Sequence, residues 1–307
     1  MRHLLRTADL RRHELTRLLT LAVELKADPF SRLDLGRGRS VAILFEKPSL
    51  RTRFSLESAL ARLGAHPIGA YDQEVGVGTR EPVTDVGRVL DRYVDAVVMR
   101  TFAHMRLEEL ASVCETPVVN ALSDAHHPLQ SLADLMTVAE ACCASDPAAL
   151  SGVPVAYVGD GNNVAHSLIE ACALAGMPVR IACPPGYEPD PDVVGWAQEA
   201  GGEVLLTDDP MEAARGAAAV YTDVWASMGR EHEAERRRAL FEPYRVTREL
   251  MGAASPEAVF LHCLPAHRGD EVTAEVIDGP ASRVWDQAEN RLHTAAAVFA
   301  TIFGGAS

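Results

Sequence analysis

Long apolar runs are missing from this chain of 307 residues, and none approaches the length of a membrane span. An excess of positive charge is missing too. Lys and Arg number 29 against 43 Asp and Glu, a net charge of −14, which argues against nucleic acid or an anionic membrane as the main partner. The six Cys (114, 142, 143, 172, 183 and 263) show no metal-ligand spacing, so no metal site is expected and most read as small reduced core residues. The start, Met1-Arg2-His3-Leu4-Leu5-Arg6, leads into charge rather than a long apolar core. A soluble cytoplasmic protein is expected. No internal repeat, no low-complexity segment and no G-x-G-x-x-G spacing occurs.

What is present is core material and alternation. Apolar residues make up 48% of the chain, enough for two domains of ordinary size. Short β-rich runs at 41–45, 67–70, 95–99, 117–119, 153–158, 179–182, 203–206, 218–221 and 258–261 alternate with helical patterns at 9–26, 53–63, 83–92, 106–114, 128–143, 164–175, 191–200, 210–215, 273–277 and 285–303. Such alternation predicts an α/β fold of parallel sheets with helices on both faces. A second start at Val153–Asp160 predicts two domains, divided within 140–152.

Polar clusters fall where these strands end, the place where open α/β sheets bind ligands. Phe45-Glu46-Lys47-Pro48-Ser49-Leu50-Arg51-Thr52-Arg53-Phe54 carries a strand into a helix. Free N–H groups of a first helical turn, hydroxyls and guanidinium forks together suit a phosphate. Arg100 ends the run Val97-Val98-Met99 and reaches the same edge. His127 and Gln130 lie three apart around Pro128, which fits the first position of a helix. Both can donate to a carbonyl oxygen as charge builds on it.

In the second half, Gly159-Asp160-Gly161-Asn162-Asn163 follows a strand. It reads as a nucleotide turn without its spacing, or as Asn163 placed to bind a carboxylate or cap a helix. Asp223 ends a strand before Trp225-Ala226-Ser227-Met228-Gly229, and suits an ammonium group or a solvated loop. His262 and Cys263 are adjacent on an extended chain, so their side chains diverge. Cys263 reads as a pocket wall or a core thiol rather than a His-activated nucleophile. Arg291, on the last helix, is a surface residue or a further anion contact.

Together these motifs resemble the aspartate/ornithine transcarbamylase family over nearly the whole chain. Ser49-x-Arg51-Thr52-Arg53 is similar to its carbamoyl phosphate loop, and Arg100 and His127-Pro128-x-Gln130 match its further contacts. Asn162-Asn163, Asp223-x-x-x-Ser227-Met228-Gly229 and His262-Cys263-Leu264-Pro265 resemble the ornithine branch. The resemblance implies two doubly wound domains. A carbamoyl phosphate domain would span 1–145, an ornithine domain 146–284, and a last helix at 285–307 would return to the first. It implies transfer of the carbamoyl group to the δ-amine of ornithine in a homotrimer, with no cofactor, since carbamoyl phosphate arrives activated. Ser49, Leu50, Arg51, Thr52, Arg100, His127, Gln130 and Arg291 would hold carbamoyl phosphate. Asn163, Asp223, Ser227, Met228, Cys263 and Leu264 would hold ornithine, with Arg100, His127 and Cys263 closest to the chemistry.

The chain departs from the family at several places. Leu50 replaces a common Thr, Leu129 a common Cys, and Asp85-Val86-Gly87-Arg88 a common Asp-Thr-Ala-Arg. Gly76 stands where most members carry a Gln, with Gln73 nearby. Other readings are a carbamoyltransferase for aspartate, putrescine or a modified ornithine, a nicotinamide oxidoreductase, and a binding protein that keeps only the fold.

Overall fold

A computed structural model describes residues 2–71, 76–77, 80–225 and 234–305. The chain divides into two compact units, 1–133 with 289–307, and 134–288. A continuous helix, Pro128–Cys142, contains the first division. A second helix, Val284–Gly304, contains the other division.

The first unit holds a four-stranded sheet of β1 (Ser40–Phe45), β2 (His66–Tyr71), β3 (Ala96–Arg100) and β4 (Val118–Leu122). All are parallel, in the order β2-β1-β3-β4. The crossovers carry α1 (Arg12–Ala27) ahead of the sheet, then α2 (Leu50–Arg62), α3 (Val83–Leu90), α4 (His104–Val113) and α5 (Pro128–Cys142). β3 is buried along its whole length, as a strand covered on both faces must be. Ala42, Leu44, Val97, Met99, Leu107, Leu110 and Val118 form one side of the core. Each fully buried Val, Leu or Met contributes about 1.5–3 kcal/mol over leaving it in water.

The second unit holds β5 (Val155–Val158), β6 (Val179–Ala182), β7 (Val204–Thr207), β8 (Ala219–Thr222) and β9 (Val259–His262), all parallel, in the order β7-β6-β5-β8-β9. Its helices are α6 (Asn163–Ala175), α7 (Pro191–Glu199), α8 (Pro210–Ala214), α9 (Ala234–Phe241), α10 (Arg248–Ala253) and α11 (Ala274–Ile277). Local chemistry sets their starts. Asp190 and Asp209 each cap a helix whose first residue is Pro, and Thr247 caps α10. α6 stops at Gly176, whose φ of 75° is the left-handed geometry glycine adopts freely.

The last helix, α12 (Val284–Gly304), belongs from Glu289 onward to the first unit. Lys26 donates to Asn290 at 2.9 Å, and Arg39 lies over the Phe303 ring at 5.1 Å and donates to its carbonyl. The fold is therefore two doubly wound α/β units with a C-terminal helix returned to the first. All nine expected strands are present within one or two residues at each end, except that β4 runs three residues further than expected. α9 and α10 were not expected: α9 is too charged to show an apolar stripe, and α10 is short and contains Gly252.

Candidate active site

The strand order brings the first cluster to one edge. Phe45 at the end of β1 lies opposite Arg100 at the end of β3. Glu46 fastens the two exits together. Its backbone N–H donates to the Arg100 carbonyl at 2.9 Å, and its carboxylate accepts from the Thr101 hydroxyl and from Arg106, each at 2.5 Å. Nothing in the sequence pattern singled out Glu46; only the register makes its role visible.

The chain then turns into α2 with Ser49 as its cap, in extended geometry. The Ser49 hydroxyl donates to Thr52 Oγ1 at 2.9 Å, and Arg291 Nη2 donates to the same oxygen at 2.8 Å. Thr52 has no exposed surface. Its side chain ties Ser49 to α12 from beneath. The first-turn N–H groups of Leu50 and Arg51 have no acceptor within the helix. Leu50's side chain is 72% exposed and Arg51 is half-buried. Arg53 turns away: it donates to Glu57 at 2.8 Å and lies 4.2 Å over the Tyr71 ring. The second Arg of the motif therefore serves the surface of α2.

Four polar side chains are buried around this turn: Arg100, His127, Gln130 and Arg291. The imidazole of His127 is pushed well below its usual 6.5, first by burial, then by the charges of Arg291 and Arg100. Both guanidinium groups therefore act on a ring that stays neutral. Arg291 is buried and not a surface residue. Lys47, 8% exposed and 4.2 Å over the Phe102 ring, adds a cation that the motif reading left without a role. Burial, then Arg100, lowers its pKa. Buried positive charge thus gathers locally inside an acidic protein.

The second cluster lies in the other unit. Asn162, rather than Asn163, caps α6. Its Oδ1 accepts from the N–H groups of Val164 at 2.9 Å and Ala165 at 3.2 Å, while its Nδ2 donates to Asp223 at 2.8 Å. Asn163 is the first helical residue and half-buried. The Gly-Asp-Gly turn packs on protein. A Cβ on Gly161 would lie 2.3–2.6 Å from the backbone of 187–189, and its N–H donates to the Tyr187 carbonyl at 2.9 Å. Its close approach is thus to the chain itself.

Asp223 is buried at the exit of β8 and also accepts from the Cys263 thiol at 3.0 Å. His262 points elsewhere. Its Nδ1 accepts from the Leu264 N–H at 2.8 Å and its Nε2 lies 3.2 Å from Glu271, so the proton is assigned to Nε2. Cys263 is thus partnered by a carboxylate and not activated by its neighbour. Gln287 fixes the strand end by accepting from the His262 N–H at 2.8 Å and donating to the buried Asp134 at 2.6 Å. Leu264 is half-buried with φ of 58°, a left-handed geometry that a branched residue adopts only where its surroundings impose it. Asp223, His262 and Cys263 offer atoms within 4.8 Å of one another, a spacing a cation could use, but both imidazole nitrogens are already bonded. Ser227 and Met228 lie outside the described residues, as does Gln73. Among the other thiols, burial pushes Cys114 up to about 11 and Cys183 up to about 12.

Buried cationic and neutral donors gather at the strand ends of one α/β unit, and a carboxylate, an amide and a thiol at those of the other; polar groups of these two kinds are what a two-substrate transferase uses. Residues 2–140 match the model of the aspartate/ornithine carbamoyltransferase carbamoyl-P binding domain, and residues 151–302 match that of the Asp/Orn binding domain. The chain is 52% identical to an ornithine carbamoyltransferase of a Parafrankia species, over 95% of its own length and 93% of the relative's. It is 50% identical to the anabolic ornithine carbamoyltransferase of Pyrococcus furiosus, over 87% and 85% of the two chains. The solved structure of the Pyrococcus furiosus ornithine carbamoyltransferase superposes with a TM-score of 0.93 at 46% identity, covering 100% of this chain and 98% of that one. The chain belongs to the aspartate/ornithine carbamoyltransferase family.

Proposed function

We propose that this protein transfers the carbamoyl group of carbamoyl phosphate to the δ-amine of L-ornithine, giving L-citrulline and phosphate. The observation that carries this reading is the neutral His127, buried under the charges of Arg100 and Arg291. Two cations and an uncharged donor suit a dianionic acyl phosphate whose carbonyl oxygen gains charge during attack. Ser49, Arg51, Thr52 and the Leu50 N–H hold the phosphate, with Arg100 and Arg291. Arg100, His127 and Gln130 stabilise the oxyanion, at about 3–4 kcal/mol per donor. Asp223 takes the α-ammonium, Asn163, Ser227 and Met228 the α-carboxylate, and Cys263 and Leu264 line the space around the reacting amine.

Ornithine is favoured over aspartate by charge. Asp223 and Asp160 stand at the strand ends of the second unit, and buried Arg237 there is committed to Asp160. Among the described residues there, a second substrate carboxylate would meet like charge. The amine must lose a proton before attack. At pH 7 that costs about 4.6 kcal/mol for a group of pKa ~10.4. Alignment of the neutral amine, worth ~7–11 kcal/mol, outweighs it. When the tetrahedral intermediate collapses, the C–O bond to phosphate breaks and phosphate leaves with the electron pair. The amine's second proton can pass to it.

The reading extends to a cytoplasmic homotrimer acting in arginine biosynthesis. The relative described as anabolic supports the direction. No helix among the described residues is long and apolar enough to cross a membrane. The test is amine-dependent phosphate release from carbamoyl phosphate with ornithine, aspartate or putrescine, with citrulline identified as the product from ornithine, beside the Arg51→Ala variant. Ornithine alone should support turnover, and Arg51→Ala should abolish it. Turnover with aspartate or putrescine instead would overturn the assignment.

A further inference from the structure

We infer that Arg237 is a positioning residue for the amino-acid substrate, acting through the Asn162–Asp223 pair. Arg237 is 1% exposed and is the largest fully buried side chain among the described residues. Its guanidinium donates to the Asp160 carboxylate and to the Trp225 carbonyl. It also lies over the rings of Tyr187 at 4.8 Å and Phe241 at 5.0 Å. A buried charge held by such contacts is costly to assemble and costly to disturb.

The places it grips explain the arrangement. Asp160 stands two positions before Asn162, and Trp225 two positions after Asp223. Asn162 joins Asp223 through its Nδ2 at 2.8 Å, and its backbone N–H donates to the Asp160 carbonyl at 2.7 Å. One guanidinium therefore clamps both flanks of a bonded pair. The exits of β5 and β8 are held in register where Asp223 must present its carboxylate. A planar fork is needed, because two acceptors and two ring faces are engaged at fixed angles. A lysine ammonium at the same place keeps the charge and loses the plane.

This inference rests on the proposed ornithine reaction, with Asp223 as the ammonium partner. The test is steady-state kinetics of Arg237→Lys and Asp160→Asn, each substrate varied separately, with melting curves alongside. Both variants should raise KM for ornithine about tenfold or more, while KM for carbamoyl phosphate stays within about twofold. The double variant should add little to either single one, since the two residues act as one clamp. Lower melting temperature with both KM values unchanged would make Arg237 purely structural and overturn the inference. Asp160→Asn keeps the side-chain volume and a hydrogen-bonding oxygen, so it answers the question if Arg237→Lys does not fold. A wild type that forms no citrulline would sink the functional reading and this inference with it. A working wild type with unshifted variants sinks the inference alone.

Discussion

His127 should act as an uncharged donor, and a pH–rate series on His127→Ala tests this. Its ring is 4% exposed, and burial with Arg291 and Arg100 holds its pKa well below 6.5. Above that pH it has no proton to lose from a charged form. The acid limb of the rate must then belong to the substrate amine, whose neutral fraction rises tenfold per pH unit below a pKa of ~10.4. Losing one oxyanion donor costs about 2.7–4 kcal/mol, a factor of roughly 100–1,000 in kcat. His127→Ala should therefore lower kcat by about that factor at every pH from ~6.5 to ~9, while the limb keeps its slope and midpoint. His127→Gln, which can still donate, should recover part of the loss. Initial rates of citrulline formation supply the assay. A limb that flattens in His127→Ala, or moves by more than about half a pH unit, would make His127 a base and refute the reasoning.

Three further outcomes follow from the same geometry. Asp223→Asn removes the carboxylate that accepts from Asn162 and Cys263 and should raise KM for ornithine by about 100-fold, at ~1.5–3 kcal/mol for a charged hydrogen bond plus an ill-matched amide; isothermal titration with carbamoyl phosphate should stay near wild type. Arg100→Ala should abolish most turnover with little change in melting temperature, and wild-type-like rates would remove it from the site. The depressed pKa values of His3, His104, His127 and His293 give stability a pH dependence of fixed sign. As pH falls below about 6.5 the unfolded chain takes up these protons first, so stability is level above that pH and falls below it, by up to ~1.4 kcal/mol per pH unit for each ring. Denaturant midpoints from pH 5 to 8 check this, and a midpoint that rises on acidification would contradict it.

The fold was legible because alternation is a strong local signal. Nine apolar runs became nine parallel strands, and the polar residues that follow several of them fell at sheet edges. Register was not legible, and it is what joins Glu46 to Arg100, Thr101 and Arg106. The cap of α6 shows a finer limit. Two adjacent Asn residues look alike in sequence, and only the turn geometry gives the cap and the Asp223 contact to Asn162. Arg237 was invisible for another reason. It lies in a run of three arginines on α9, where charge reads as a solvated face, yet its two neighbours leave it alone in the core. Arg53 is the converse, an Arg inside the strongest motif whose partners are Glu57 and Tyr71.

Leu50 tests whether the cradle recognises phosphate through backbone or side chains. It is the first residue of α2, directly after the Ser49 cap, and its side chain is 72% exposed. At that position the N–H has no helical acceptor and points out of the helix start, along the positive end of the dipole. An anion bound there uses the main chain, which Leu supplies as well as Thr does. Leu50→Thr should therefore change KM for carbamoyl phosphate by less than about threefold, since exposed substitutions away from caps and cores stay within ~0.5 kcal/mol. A tenfold drop in KM would show instead that a hydroxyl at this position grips the phosphate.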